Sequence, residues 1–179
     1  KDLGRLEEAE ESFKQTIALN FESAVAHYNL GNTFKELGKL EEAKASYTQA
    51  IVKEPAFFKA HYNLGITQQD LGRLEDAEKS FRQTIALTND YAEAHNNLGN
   101  ALLNQAKFEE AELSFSKAIT LKPNYPEPHN NLGITLKMFG KLDQAQECFN
   151  KAIETKPTYS RAHYNLTLLK KFETIVDNL

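Results

Sequence analysis

Five histidines, His27, His61, His95, His129 and His163, recur at steps of 34 residues, and a repeated imidazole first suggests metal chemistry. The spacing argues against a shared ion. Copies on equivalent helices stand ~10 Å apart, whereas two ligands on one zinc lie within ~4 Å of each other. The rings are therefore expected to wedge between helices, and a buried column of them would loosen the array on protonation near pH 6. Cys148 is the single cysteine, so it forms neither an intrachain disulfide nor a thiolate zinc site. Its neighbour Glu147 raises a thiol pKa, the wrong direction for a nucleophile. The carboxylate pairs Glu41-Glu42, Glu75-Asp76 and Glu109-Glu110 share one register. That register suits the positive end of a helix dipole better than a glycosidase acid pair. No glycine-rich phosphate loop of standard spacing occurs. The chain is read as having no catalytic residue, no metal ligand and no cofactor, hence as no enzyme in itself.

The asparagines offer a different chemistry. Asn29, Asn63, Asn97, Asn131 and Asn165 hold one position in five successive copies. Asparagine is a mediocre helix former, but its carboxamide supplies both a donor and an acceptor. A column of such groups can pair with the N–H and C=O of an extended peptide, whatever the peptide's sequence. A spacing of ~10 Å between copies equals about three residues of extended chain at ~3.3 Å each. The competing reading is that each carboxamide bonds a neighbouring helix and sets the stacking.

Elements that position these columns are legible from the repeat itself. His27-Tyr28-Asn29-Leu30-Gly31 returns, with changes, at 61–65, 95–99, 129–133 and 163–167, the last copy ending in Thr167. Leu40-Glu41-Glu42-Ala43 keeps the same period, back to Leu6-Glu7-Glu8-Ala9. Each block reads as two helices with apolar or small residues at three- and four-residue steps. Gly38, Gly72 and Gly140 supply the turn between them, and Pro55, Pro123 and Pro157 mark the exit. One such pair buries too little apolar area to offset its ordering entropy, so the pairs must stack. Glycine at Gly31, Gly65, Gly99 and Gly133 implies a neighbour too close for any side chain. The expected organisation is a single array over 1–179. It comprises a partial repeat at 1–23, full repeats at 24–57, 58–91, 92–125 and 126–159, and a half repeat or cap at 160–179. A net charge of −4 argues against an electrostatic grip on nucleic acid. No apolar run approaches the ~20 residues that cross a bilayer, so no membrane partner is expected. The single cysteine and acidic balance point to the cytoplasm.

Leu64-Gly65, Gly72, Ala77 and Phe81, with Pro55 ahead, make the chain resemble the tetratricopeptide repeat family over essentially its whole length. Histidine replaces the family's usual tryptophan in every copy. The resemblance implies an all-α fold, a right-handed superhelical solenoid of antiparallel helix pairs whose first helices line a concave groove. The asparagine column resembles the ladder of the O-GlcNAc transferase superhelix, which implies binding of a partner's extended peptide backbone. Carried over on that basis, the groove residues are the five asparagines with Tyr28, Tyr62, Asn32, Asn100, Lys59 and Arg161. Asn32 and Asn63 match part of the carboxylate clamp of chaperone-binding relatives, but Tyr28 and Glu93 stand where its cations belong. The implied function is a protein–protein interaction scaffold. Two alternatives remain open. The chain is the substrate-recognition arm of a larger enzyme whose catalytic domain lies beyond Leu179, of O-GlcNAc transferase or sulfotransferase type. Or it self-assembles as a homo-oligomer through end helices left unpaired by a chain that opens mid-repeat and ends after Phe172–Leu179 as a partial cap.

Overall fold

The computed structural model describes residues 3–20 and 22–177, with side chains for 4–20 and 22–171. These residues form ten helices and no strand. The all-α expectation holds. Residues 172–177 continue the last helix, while the side-chain packing on which the expected capping role of Phe172–Leu179 depends lies outside the described residues. Two compact units divide after Asn89. The first holds α1 (Leu3–Leu19), α2 (Ala24–Glu36), α3 (Leu40–Lys53), α4 (Phe58–Asp70) and α5 (Leu74–Leu87). The second holds α6 (Ala92–Asn104), α7 (Phe108–Leu121), α8 (Pro126–Met138), α9 (Leu142–Thr155) and α10 (Ser160–Asp177).

Each first helix meets its second across a glycine. A Cβ on Gly31 would stand 2.6 Å from the ring of Tyr47, and one on Gly65 2.7 Å from Phe81. The second unit repeats the contact, with 2.6 Å from Gly99 to Phe115 and 2.6 Å from Gly133 to Phe149. The close neighbour is thus an aromatic face rather than backbone. Those four rings are fully buried, as are Ala43, Ala77, Ala111 and Ala145 one turn before them. In the first unit Leu30, Phe34, Tyr47 and Leu64 share one cluster, with Phe13 and Ile51 packed against it. In the second, Leu136, Phe149 and Leu169 do so, with Leu132, Cys148 and Leu166 alongside.

The turns after first helices show what glycine is for. Gly38, Gly72 and Gly140 have φ of 75°, 74° and 70°. There the amide of the glycine and that of the next residue satisfy the last carbonyls of the helix, as in Gly38 N–H to Lys35 O and Lys39 N–H to Phe34 O. This is the Schellman arrangement. Between α6 and α7 the same two bonds form, from Ala106 to Leu103 and Lys107 to Leu102, but the left-handed residue is Ala106 at φ 58°. An L side chain pays about 1–2 kcal/mol there. Glycine's greater freedom in the unfolded chain offsets part of that. Ala106→Gly is therefore expected to raise stability by about 0.5–1 kcal/mol, a gain of about 2 °C in Tm by calorimetry. A lower Tm would show that the turn carries no strain.

The acidic pairs Glu41-Glu42, Glu75-Asp76 and Glu109-Glu110 lie in the first turns of α3, α5 and α7, where the dipole favours them. Glu41 has a second role. Lys44 beside it, joined by Arg73 from the next turn, holds its carboxyl below the usual range. The residue after each turn glycine reaches back in this way: Lys39 to Glu10 at 2.8 Å, Arg73 to Glu41, and Lys141 to Glu112 at 3.6 Å. Exposed pairs of this kind add at most about 1 kcal/mol each.

Candidate functional site

The first helices carry the asparagine column, and within each unit the stacking of helix pairs puts Asn63, Asn131 and Asn165 beside the preceding first helix. In the first unit, Asn63 Nδ2 on α4 donates to Asn32 Oδ1 at 2.9 Å and to the Tyr28 hydroxyl at 3.2 Å, both on α2. In the second unit, Asn131 Nδ2 on α8 donates to Asn100 Oδ1 at 2.9 Å and Asn96 Oδ1 at 3.2 Å on α6. Asn165 Nδ2 on α10 donates to Asn130 Oδ1 on α8 at 2.8 Å. The amide halves of these side chains therefore stitch helix to helix, as the stacking alternative required. Asn29, at the start of the column, is half-buried, and its carboxamide makes no such bond among the described residues. Asn97 Oδ1 accepts from Asn96 Nδ2 at 3.3 Å.

The other expected groove residues stand on the same first helices. Tyr28 packs on Phe57 and Tyr47, ring centroids 4.9 and 5.9 Å away. Tyr62 lies 6.0 Å from Phe81. Lys59 is exposed, its Nζ 5.9 Å from the Phe58 ring. Arg161 is also exposed. A solvent-open cavity of about 330 Å³ lies against α2 and α4, lined by Asn32, Lys35, Glu36 and Asn63.

Sequence reasoning missed three features. Asn96 and Asn130 are not merely varied groove residues: both are buried and act as acceptors for the next asparagine. Tyr47 is the one tyrosine in the column Tyr47, Phe81, Phe115, Phe149, and its hydroxyl donates to Asn32 Oδ1 at 2.8 Å. Burial pushes that phenol above its ordinary pKa. Comparing the aromatic column copy by copy exposes the odd residue. The histidines hold the third feature. His61, His129 and His163 Nε2–H donate to the carbonyls of Pro55, Pro123 and Pro157 at 2.9, 2.9 and 2.8 Å. The rings tie each loop to the helix that follows it. They do not form a buried column: His61 is half-buried, His163 is exposed, and only His95 and His129 are buried. A carbonyl only accepts, so each bond uses the ring N–H. The buried column from which loosening by acid was expected is not what these histidines form. At Cys148, burial first and Glu147 second push the thiol up to about 11. Among the described residues no helix is long and apolar enough to cross a membrane.

Three family models match within this geometry: a TPR repeat over residues 31–72, a tetratricopeptide repeat over 62–126 and another over 114–147. The chain is built of tetratricopeptide repeats. Solved structures agree in fold. MamA superposes with a TM-score of 0.83 at 23% identity, covering 88% of this chain and 92% of its own. YrrB gives 0.78 at 24%, with 92% and 85% covered. PilF of Pseudomonas aeruginosa gives 0.74 at 24%, with 94% and 71% covered. At such identities the likeness speaks for the fold. No curated protein sequence matches the chain. The repeats account for the Gly65–Phe81 type of contact, which recurs at Gly31, Gly99 and Gly133.

Proposed function

We propose that this tetratricopeptide-repeat chain is a protein–protein interaction scaffold that holds an extended segment of a partner along the face of its first helices. One observation carries the reading. The amide nitrogens of Asn63, Asn131 and Asn165 bond the preceding first helix of their unit, so these three carboxamides are held in one orientation. Asn63 Oδ1 accepts no bond among the described residues, and a fixed acceptor beside a groove suits a peptide N–H. The ladder in this form offers acceptors, and the partner's carbonyls are met by flanking donors such as Lys59 and the tyrosine hydroxyls. YrrB, which shares the fold, is described as a TPR protein with an unusual peptide-binding site, and that likeness supports the same use of the fold here.

Asn29 gives the clean test, because its carboxamide has no stacking bond to lose. An array of overlapping twelve-residue peptides supplies the tightest binder, which is then titrated by fluorescence anisotropy. Asn29→Ala is expected to weaken it about tenfold, the value of one hydrogen bond of about 1.4 kcal/mol, with melting unchanged. Unaltered affinity for every binder found would remove the ladder from the binding face.

A further inference from the structure

The cavity against α2 and α4 has a donor and acceptor pattern of its own. Asn32 Oδ1 is occupied twice, by the Tyr47 hydroxyl at 2.8 Å and by Asn63 Nδ2 at 2.9 Å. Its orientation is thereby set, and Nδ2 is the atom left to donate. Asn63 Nδ2 is likewise occupied twice, by Asn32 and Tyr28, which leaves Oδ1 as an acceptor. Lys35 adds a second donor to the lining and Glu36 a second acceptor. A carboxylate has no proton to give, so it would face Asn63 Oδ1 and Glu36 as repulsive neighbours. A guanidinium has no lone pair to offer, and it would face Lys35 and Asn32 in the same way. A backbone peptide unit carries both functions but, being trans, points them in opposite directions. A primary carboxamide presents its C=O and N–H on one edge.

We infer that this cavity selects a glutamine or asparagine side chain of the bound segment. The C=O receives Asn32 Nδ2 and Lys35, while the NH2 donates to Asn63 Oδ1 and Glu36. Tyr47 is a positioning residue: it touches no ligand and holds Asn32 in the reading orientation. The equivalent places in the second unit carry Phe115, Leu103 and Asn104, so the selection belongs to the first unit alone. The inference rests on the reading of the first-helix face as the binding face, and it is tested without any partner sequence.

The probes are N-acetylglutamine methylamide and N-acetylglutamate methylamide, titrated into the full chain while the side-chain amide resonances of Asn32 and Asn63 are followed by NMR. The glutamine probe is expected to shift both resonances saturably and to bind at least about tenfold more tightly than the glutamate probe, since a site built for a given hydrogen-bond pattern rejects the group that lacks it. Tyr47→Phe restores the residue found in the other three pairs and so folds. It is expected to cut that preference to about twofold, with the melting curve almost unmoved. Equal or tighter binding of the glutamate probe, or absence of a saturable shift at the two asparagines, overturns the inference. So does a Tyr47→Phe variant that keeps the full preference. Glutamine-selective shifts without binding to any array peptide would remove the scaffold reading and leave the cavity's selectivity standing. Array binding without glutamine preference would do the reverse.

Discussion

Phe115→Ala is expected to lower stability by about 4 kcal/mol, the upper part of the range for a fully buried ring, measured by urea unfolding. The ring is 0% exposed and lies across the backbone of Gly99, where any Cβ would come within 2.6 Å of it. The two positions therefore form one contact with a single good solution, glycine opposite an aromatic plane. Gly99→Ala is expected to cost about 2–3 kcal/mol, because overpacking forces the rigid ring or the helix axis to move. In the background of Phe115→Leu the same glycine change is expected to cost about half as much, since the leucine end yields. That coupling is what identifies the contact. Strictly additive costs would mean that Gly99 is demanded by backbone conformation instead. Gly99 carries no positive φ, which already argues against that explanation.

The second large effect belongs to the ladder. Asn131→Ala is expected to cost about 2 kcal/mol, because Asn96 Oδ1 and Asn100 Oδ1 lose their shared donor and Asn96 is buried at 4% exposure. An unsatisfied buried acceptor costs about 1–3 kcal/mol. Asn131→Asp sharpens the point. At about pH 7 the carboxylate is acceptor-only and faces those two carbonyl oxygens, so it is expected to cost more than alanine. Repulsion raises the folded-state pKa of that aspartate above its unfolded value of about 3.9. The deficit is therefore largest above the folded pKa and shrinks as pH falls through it, when the protonated acid regains a donor. Thermal melts between about pH 7 and about pH 4 read this directly. An aspartate variant whose deficit relative to the parent chain does not change across that range would show that Asn131 does not act as the donor.

How much of this was legible beforehand follows from what repetition records. A period of 34 residues exposes the helix pairs, the turn glycines and the close approach at Gly31 and its copies, because each is imposed locally and identically. Ala106 was invisible, since alanine is silent about φ and only its place in the glycine column marks it as anomalous. Direction was the other loss. Sequence assigns asparagine two functions, and which of them turns to the neighbouring helix depends on the offset between repeats, a tertiary quantity. Tyr47 was conspicuous as the odd member of its column, yet its acceptor Asn32 lies fifteen residues away on another helix. The histidine tie was better marked, with Pro55 and His61, Pro123 and His129, and Pro157 and His163 keeping one interval. A solvent-side carbonyl is simply not a partner that residue type announces.

Asn63, Asn131 and Asn165 donate the same way, from a first helix to the one before it: α4 to α2 in one unit, α8 to α6 and α10 to α8 in the other. In the terms of a manufactured part, α8 carries a plug on its leading side, Asn131, and a socket on its trailing side, Asn130. A deletion in the second unit that is not a whole 34-residue step would part Asn131 and Asn165 from their acceptors at the same stroke, because both joints keep one register.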